Sequence, residues 1–322
     1  MIVFRSPLAA DLRTFLTWKR RLGCAYVRAE FTLASFDRFY VQSLCTRADC
    51  RLDHVMLAWL ARPSTRQAIS VSADVTVIRQ LWCFLRRYSR HRALPEPLWP
   101  VLPTTSTFMP YILSGEDIRR LLGLARHLER PRFRAALYRA LILLLYGAGL
   151  RFGEALRLRM RDVDTHAAVI RVDVFKGRAR WVPVHRSLAK ELEQYLTPRR
   201  AFATAGPDDR FFVGINRTTL PVNTASDTLR QLFRAARLKP ERGRRGPRPY
   251  DLRHAFAVHR LTRWYRQGVD LHAHLPWLSA YMGHVDILGT ETYLTATPAL
   301  LGLAGRRFHR LYRRPSPRRD VR

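Results

Sequence analysis

Apolar residues in the first third of the chain recur at the spacing of amphipathic helices. The repeat of about 3.6 residues is visible in four segments, near residues 12–22, 31–44, 52–60 and 73–87. None of these segments alternates between apolar and polar residues as a half-buried strand does. We therefore expect residues 1–92 to form a small helical domain with basic side chains on its outer faces.

Proline then ends the helical pattern. Residues 93–110 contain five prolines, and proline removes backbone donors and favours an extended chain. We predict a linker at 93–111, a second domain at 112–310 and a short basic tail at 311–322. The second domain begins with Ser114, which suits the N-cap of a helix because two acidic residues follow in the first turn.

The second domain mixes helical patterns with one hairpin signal. Residues 168–184 alternate as strands on both sides of a turn at Lys176 and Gly177, which is typical of a β-hairpin. Helical periodicity covers most of the rest, up to residue 146 and at 187–196, 225–237, 251–264 and 275–282. A short extended piece is expected at 210–214. The expected fold class is mainly α with a small antiparallel β-sheet: a helical domain followed by an α+β domain.

Basic residues outnumber acidic ones by a wide margin. The chain of 322 residues has 57 Lys and Arg against 25 Asp and Glu, a formal net charge of +32. Such a chain repels itself unless a polyanion neutralises it, and nucleic acid is the usual partner. A ribosome-associated protein or one bound to an anionic membrane could have the same composition. The charge is spread through patterned globular sequence rather than held in a tail, which favours nucleic acid.

Several other classes of protein lack support in the sequence. The longest apolar run, at 140–150, is too short to cross a bilayer, and the N-terminal residues show no signal-peptide pattern. The four cysteines show no CxxC pair and no metal-ligand spacing to histidine, so we expect reduced thiols in a cytosolic protein. No HExxH motif, carboxylate cluster or phosphate-binding GxxxxGKS/T loop is evident. We therefore expect neither a metal nor another cofactor.

Five polar residues stand in contexts that suit phosphodiester chemistry without a metal. Such chemistry needs a nucleophile, cations for the phosphate oxygens and an acid for the leaving 5′-oxygen. The candidates, in chain order, are Arg151, Lys176, Arg253, His284 and Tyr293. Because the chain has four lysines among its 57 basic residues, Lys176 in the predicted turn is more informative than any single arginine. An ammonium can release a proton to a leaving oxygen, whereas a guanidinium does so poorly.

The sequence around these residues resembles that of the tyrosine recombinase family, which includes the phage integrases. The family's first arginine follows a Gly-Leu pair and has a carboxylate three residues on, as Arg151 and Glu154 do here. Its lysine lies in a turn before a Val-Pro strand, as Lys176 does. Its second motif, His-x-Leu-Arg-His, resembles residues 250–254, and its last, Leu-Gly-His, resembles residues 282–284.

The resemblance implies a role for each matching residue. The resemblance implies that Arg151 and Arg253 bind the scissile phosphate as forked donors, and that Glu154 orients Arg151. His284 contacts the same phosphate, and Tyr293, nine residues later, attacks it. The implied product is a 3′-phosphotyrosyl bond with a free 5′-hydroxyl, formed without ATP or metal.

One position departs from the family pattern. Tyr250 stands where the family usually has a histidine that is thought to take part in proton transfer at the nucleophile. A phenol can still hold the phosphate by a hydrogen bond, so Tyr250 is a candidate catalytic substitute, but it is a poor base near neutral pH. We expect the neighbouring His254 to point elsewhere on its helix. The tyrosine and the helical front domain are similar to the recombinases encoded in tandem trios on mobile elements.

Two further segments suggest contacts with DNA and with other protomers. One basic loop contains Arg242, Arg244, Arg245 and Arg248, with Lys239 beside it. We interpret this loop as a contact with the DNA backbone; the alternative is a run of solvated charges. Residues 298–312 mix apolar and basic positions. They are expected to form a helix that docks on a neighbouring protomer or folds back on its own domain.

The resemblance implies a site-specific recombinase that acts on double-stranded DNA in the bacterial cytoplasm, at the nucleoid. Exchange between two duplexes implies four protomers, of this chain alone or together with sister recombinases. Two alternatives stay open. One is a topoisomerase of the related IB-like class, which relaxes one duplex through the same chemistry. The other is a catalytically degenerate DNA-binding protein on the same fold, which Tyr250 suggests.

Overall fold

The structure is a computed structural model, and it describes most of the chain. The described residues are 2–46, 51–62, 68–88, 99, 110–128, 132–173, 179–243, 245–284, 286–295, 302, 305 and 309. The chain divides into two compact units, Met1–Phe108 and Met109–Arg322. Most of the predicted linker, the basic tail and nearly all of residues 298–312 lie outside the described residues.

The first unit consists of helices, as predicted. They are α1 (Ala9–Arg21), α2 (Val27–Thr46), α3 (Leu52–Leu60) and α4 (Ala68–Tyr88). Phe15, Phe36, Trp59 and Trp82 are almost fully buried in its core. α2 and α4 begin four and five residues before their apolar patterns, with exposed side chains at their first two positions.

One described helix is long and apolar enough to cross a membrane by length and composition, and it is α4. A core helix passes the same test. Ile78, Leu81, Trp82 and Leu85 on α4 are buried inside the first unit, so packing against the other helices of that unit accounts for this apolar face.

The second unit carries eight described helices and a small sheet. The helices are α5 (Gly115–Arg126), α6 (Arg132–Gly147), α7 (Phe152–Arg157), α8 (Arg186–Phe202), α9 (Val222–Ala235), α10 (Asp251–Arg266), α11 (Leu271–Met282) and α12 (Leu288–Thr295). The strands are β1 (Val163–Asp164), β2 (Val169–Val172) and β3 (Arg180–Pro183). The predicted fold class, mainly α with a small antiparallel sheet, is confirmed.

The start of α5 follows the predicted cap. The Ser114 hydroxyl accepts a hydrogen bond from the Asp117 backbone N–H at 3.1 Å, and the Asp117 carboxylate accepts one from the Ser114 backbone N–H at 2.9 Å. This reciprocal pair satisfies two backbone donors that a helix N-terminus otherwise leaves unpaired.

The sheet has the strand order β1-β2-β3 and is antiparallel throughout. Ile170 on β2 lies opposite Val182 on β3, and both are fully buried. The hairpin prediction is therefore confirmed, although its turn at 174–178 lies outside the described residues. The predicted extended piece at 210–214 makes only isolated bridges among the described residues, from Arg210 to Arg159 and from Val213 to Thr219.

Two apolar clusters position the functional part of the second unit. The larger one surrounds α6, whose residues Leu141, Ile142 and Leu144 are fully buried. The smaller one joins α10, α11 and α12 and includes Met282 and Tyr293. The short helix α12 is thus fixed to the rest of the unit by packing against α10 and α11.

Candidate active site

The turn that leads into α7 requires a glycine. Gly149 has a φ of +62°, and a Cβ added there would lie 2.4 Å from the ring of Phe256 on α10. Only a residue without a side chain allows this approach in the left-handed region. The Gly149 carbonyl then accepts a hydrogen bond from Nη1 of Arg253 at 2.6 Å, so the turn connects two helices of the site.

Arg151 is held at the N-terminus of α7 by Glu154. The carboxylate accepts hydrogen bonds from the Arg151 backbone N–H at 2.9 Å and from its Nη1 at 2.8 Å. It also accepts two from Arg180 on β3, at 3.2 and 2.8 Å. Burial opposes the ionisation of Glu154, but the hydrogen bonds from Arg180 and Arg151 lower its pKa to about 2.

The C-terminus of α11 binds both arginines. Gly283 ends the helix with a φ of +70°, and its carbonyl accepts a hydrogen bond from Nη2 of Arg151 at 2.5 Å. The preceding carbonyl, of Met282, accepts one from Nη2 of Arg253 at 2.9 Å. Because the last carbonyls of a helix carry partial negative charge, they suit two cations. The structure thus brings Arg151 and Arg253 to adjacent peptide groups.

Arg253 is a buried cation with an unused donor. Its exposed fraction is 1%, and burial lowers the pKa of its guanidinium, although arginine stays protonated near neutral pH. Its Nε has no hydrogen-bond acceptor among the residues that the structure describes. A buried N–H without an acceptor is costly, so this donor suits an anion bound beside it.

His284 is fixed through both ring nitrogens. Its Nε2 lies 2.9 Å from Nη2 of Arg253, and its Nδ1 lies 2.6 Å from the hydroxyl of Thr290, which is fully buried. Arginine can only donate, so Nε2 accepts and Nδ1 carries the proton. Burial, together with the nearby arginines, lowers the His284 pKa to about 4, so this imidazole is neutral near pH 7.

Tyr293 lies on α12 beside these groups and is 3% exposed. Its ring stacks on that of His284, with 6.2 Å between the centroids and 27° between the planes. Burial raises the Tyr293 pKa to about 12, against the opposing effect of Arg253. The predicted candidates Arg151, Arg253, His284 and Tyr293 therefore meet in one place, and Lys176 lies outside the described residues.

The expectation for His254 is wrong. Its Nδ1 lies 3.2 Å from the Tyr293 hydroxyl oxygen, with the two rings edge to face. The reason is helical geometry, because His254 is one turn after Tyr250 and faces the same side of α10. The spacing of four residues was therefore a usable signal.

Tyr250 lies at the N-terminus of α10 and is 38% exposed. Its ring packs edge to face on that of His254, with 4.7 Å between the centroids. Two further contributors were not singled out from the sequence: Arg180, which shares Glu154 with Arg151, and Thr290, which fixes His284. Arg180 reaches Glu154 across 26 residues of sequence, so a local motif gives no signal for it, whereas Thr290 lies six residues after His284.

The basic loop divides into exposed and buried cations. Arg242, Arg245 and Arg248 are exposed, while Arg244 lies outside the described residues. Lys239 was expected to join this patch but does not. It is buried, and its Nζ donates to the Arg245 carbonyl at 2.7 Å. Its ammonium fixes the loop backbone instead of facing solvent.

Known proteins similar to this chain point to one family. The sequence profile of the phage integrase family matches residues 112–299. A putative integrase/recombinase of Sinorhizobium fredii, y4rB, is 32% identical over 95% of this chain and 98% of its own length. The tyrosine recombinase XerC of a Methylobacterium species is 34% identical over 65% of this chain and 57% of its own length.

Solved structures share the fold at low sequence identity. The recombinase XerH bound to its difH substrate matches 92% of this chain and 83% of that chain, with a TM-score of 0.65 at 15% identity. The Tn1549 transposon integrase in complex with transposon right-end DNA matches 94% of this chain and 99% of that chain, with a TM-score of 0.62 at 15% identity. Since the family profile spans more than half of the chain and a relative above 30% identity covers nearly all of it, this chain belongs to the phage integrase family of tyrosine recombinases.

Proposed function

We propose that this chain cuts and rejoins double-stranded DNA through a covalent bond between the Tyr293 oxygen and a 3′-phosphate. The observation that carries the proposal is the convergence of Arg151, Arg253, His284 and Tyr293 from separate elements. Two cations, a neutral imidazole and a phenol in one place suit attack on a phosphodiester. Family membership supports the same class of reaction.

The two guanidinium groups hold the scissile phosphate. Arg253 offers its unpaired buried Nε, and Arg151, whose side chain is 33% exposed, offers the remaining donors of its fork. Both groups are already fixed by backbone carbonyls and Glu154. Little reorganisation is then needed when negative charge develops on the phosphate oxygens in the transition state.

The reaction exchanges one phosphodiester for another. The Tyr293 oxygen forms a bond to phosphorus as the bond between phosphorus and the 5′-oxygen breaks, and Lys176 gives the leaving oxygen a proton. The free energy of the broken bond is retained in the phosphotyrosyl bond, so no ATP is consumed. A 5′-hydroxyl then attacks the phosphotyrosyl bond and releases Tyr293.

Site-specific recombination between two duplexes is the biological outcome that we favour. Among the structural matches, XerH is bound to its difH substrate and the Tn1549 integrase to DNA of a transposon. By analogy, four protomers act on two DNA sites of a mobile element, with this chain alone or with sister recombinases. The exposed Arg242, Arg245 and Arg248 contact the DNA backbone, and the reaction takes place at the nucleoid.

Trapping of the covalent intermediate tests the proposal. Duplexes are first selected from a randomised pool by binding to the Tyr293→Phe variant. They are then nicked at successive positions, so that the cleaved end diffuses away and the adduct persists. The wild-type chain is expected to give a protein–DNA adduct on a denaturing gel, with the peptide containing Tyr293 carrying the DNA. Tyr111→Phe, in the same unit, is the matched control and keeps the adduct.

Two results would overturn the proposal. Absence of an adduct on every nicked duplex that the chain binds would support a DNA-binding protein without cleavage activity. An adduct that persists in Tyr293→Phe would move the nucleophile elsewhere. Exchange between two labelled duplexes, compared with relaxation of one supercoiled plasmid, separates a recombinase from a topoisomerase.

A further inference from the structure

The nucleophile needs a base that the family pattern does not supply in this chain. A phenol attacks phosphorus as its proton leaves, and burial raises the Tyr293 pKa to about 12. The position where the family usually has a histidine is occupied by Tyr250, which has no basic nitrogen. The group that takes the proton of Tyr293 is therefore not assigned by the resemblance.

His284 is not available for this proton. Its Nε2 accepts from Arg253 at 2.9 Å, and its Nδ1 donates to Thr290 at 2.6 Å, so both ring nitrogens are occupied. Its ring also stacks on that of Tyr293, with 27° between the planes. A stacked imidazole does not direct a nitrogen lone pair at the hydroxyl.

His254 has the geometry that His284 lacks. Its Nδ1 lies 3.2 Å from the Tyr293 hydroxyl oxygen, and the two rings meet at 61°. The Tyr250 ring packs edge to face on the His254 ring, with 4.7 Å between the two centroids. The tyrosine that replaces the usual histidine thus helps to fix the imidazole one turn further along α10.

Asp251 completes the arrangement. It is 1% exposed, and its Oδ1 has no hydrogen-bond partner among the described residues, although Nη2 of Arg248 forms an ion pair with it at 3.5 Å. That oxygen lies 3.8 Å from Nε2 of His254, while Oδ2 accepts from the backbone N–H of Arg248 at 2.7 Å. A carboxylate facing Nε2 favours the tautomer with a proton on that nitrogen, which leaves the Nδ1 lone pair for the phenol.

We propose that His254 is the base that takes the proton of Tyr293, and that Asp251 positions His254 and stabilises it as a cation. This inference rests on the proposed function. As the Tyr293 oxygen bonds to phosphorus, its proton moves to Nδ1 of His254, and the 5′-oxygen leaves with a proton from Lys176. In the second step the Lys176 amine takes the proton of the attacking 5′-hydroxyl, and His254 returns its proton to the Tyr293 oxygen as the phosphotyrosyl bond breaks.

The charges around His254 connect this role to DNA binding. Burial, together with the neighbouring Arg248, Arg253 and His284, lowers the His254 pKa to about 4. Asp251, Tyr293 and Tyr250 are the other titratable groups that face it. A phosphodiester bound to the arginines adds a negative charge that opposes their effect. His254 therefore becomes a stronger base when DNA occupies the site.

The test measures the rate of adduct formation on a nicked duplex with His254→Gln, which keeps a polar side chain but cannot take a proton. The rate is expected to fall by about 100-fold, the usual contribution of a general base. The matched control is His259→Gln. His259 also bonds a tyrosine through Nδ1, at 2.9 Å from the Tyr146 hydroxyl, but lies about 140° around α10. The rate of adduct formation by His259→Gln is expected to stay within about twofold of wild type.

Two further readouts separate a base from a residue that only supports the fold. The His254→Gln rate should rise about tenfold per pH unit, because hydroxide must remove the proton, so its deficit shrinks in alkali. A substrate with sulfur in place of the bridging 5′-oxygen needs no acid for its leaving group. This substrate should rescue Lys176→Ala and leave the His254→Gln deficit unchanged.

The outcomes are distinguishable. If the wild-type chain forms no adduct, the proposed function fails and this inference fails with it. If wild type forms the adduct and His254→Gln matches it within about twofold, or is rescued by the sulfur substrate, this inference alone is wrong. Asp251→Asn is the second variant, should His254→Gln not fold. A loss of about tenfold with an altered pH profile supports the positioning role, and an unchanged rate and profile contradict it.

Discussion

Arg180 donates two hydrogen bonds to Glu154, at 3.2 and 2.8 Å, across 26 residues of sequence. Glu154 also binds Arg151, so one buried carboxylate holds two cations of the site. Glu154 therefore fixes the orientation of Arg151, the arginine that we propose binds the phosphate.

Glu154→Gln should therefore lower both stability and activity. It leaves two guanidinium groups facing a neutral amide, and loss of a buried charged partner costs about 3 kcal/mol. Chemical denaturation measures the free energy of unfolding, and the trapping assay should show an adduct rate at least tenfold lower. Glu191→Gln removes a similar forked pair with Arg139 away from the site, and an equal loss of rate there would contradict the assignment.

The same carboxylate predicts a pH dependence of stability. Its folded-state pKa of about 2 lies below the ordinary 4.5, so the unfolded chain binds the proton more readily. The contribution of Glu154 is then present above pH 4.5 and is lost as the pH falls from 4.5 towards 2. The difference in unfolding free energy between wild type and Glu154→Gln should shrink over that interval, and a difference independent of pH would contradict it.

Thr290→Val should impair His284 without changing the shape of the site. The valine removes the hydroxyl that accepts from Nδ1 at 2.6 Å, which leaves a buried N–H unpaired at a cost of about 1–3 kcal/mol. The released imidazole can rotate, so adduct formation is expected to slow about tenfold. Thr290→Ser keeps the hydroxyl and should restore the rate. Equal rates in the two variants would show that the hydroxyl has no such role.

Gly149→Ala should disrupt the turn between α6 and α7. The new Cβ would meet the Phe256 ring at 2.4 Å in a left-handed backbone, and such strain with overpacking costs about 2–4 kcal/mol. The melting temperature and the rate of adduct formation should both fall. Gly123→Ala, on α5 with open space around it, should raise stability by up to about 1 kcal/mol. Equal melting temperatures for the two variants would contradict this account.

Arg245→Gln should weaken DNA binding in a salt-dependent manner. If this exposed arginine contacts a phosphate, the slope of log K against log salt decreases in magnitude by about 1. Fluorescence anisotropy at several salt concentrations measures the slope. Arg230→Gln, whose charge is paired with Asp227 at 2.8 Å, is the control. An unchanged slope for Arg245→Gln would show that Arg245 is a solvated charge and does not contact a phosphate.

Most helices and strands, and four of the side chains that meet in the site, could be predicted from the sequence because they depend on local patterns. Periodicity located the helices, and short motifs marked Arg151 and Arg253. The orientation of His254 is predicted wrongly, although its spacing of four residues from Tyr250 places both side chains on one face of α10. The partners of Arg180 lie on other elements, and their distances depend on how the helices pack, which no local pattern specifies.

Several groups of the site depend on the C-terminus of α11. Its last two peptide carbonyls bind Arg151 and Arg253, and the chain then continues through His284 into α12 with Tyr293. A displacement of this helix end would release both cations and move Tyr293 away from them in the same motion. The site is then assembled or dismantled as a whole, so under the proposed function Tyr293 is in place only when both arginines are held.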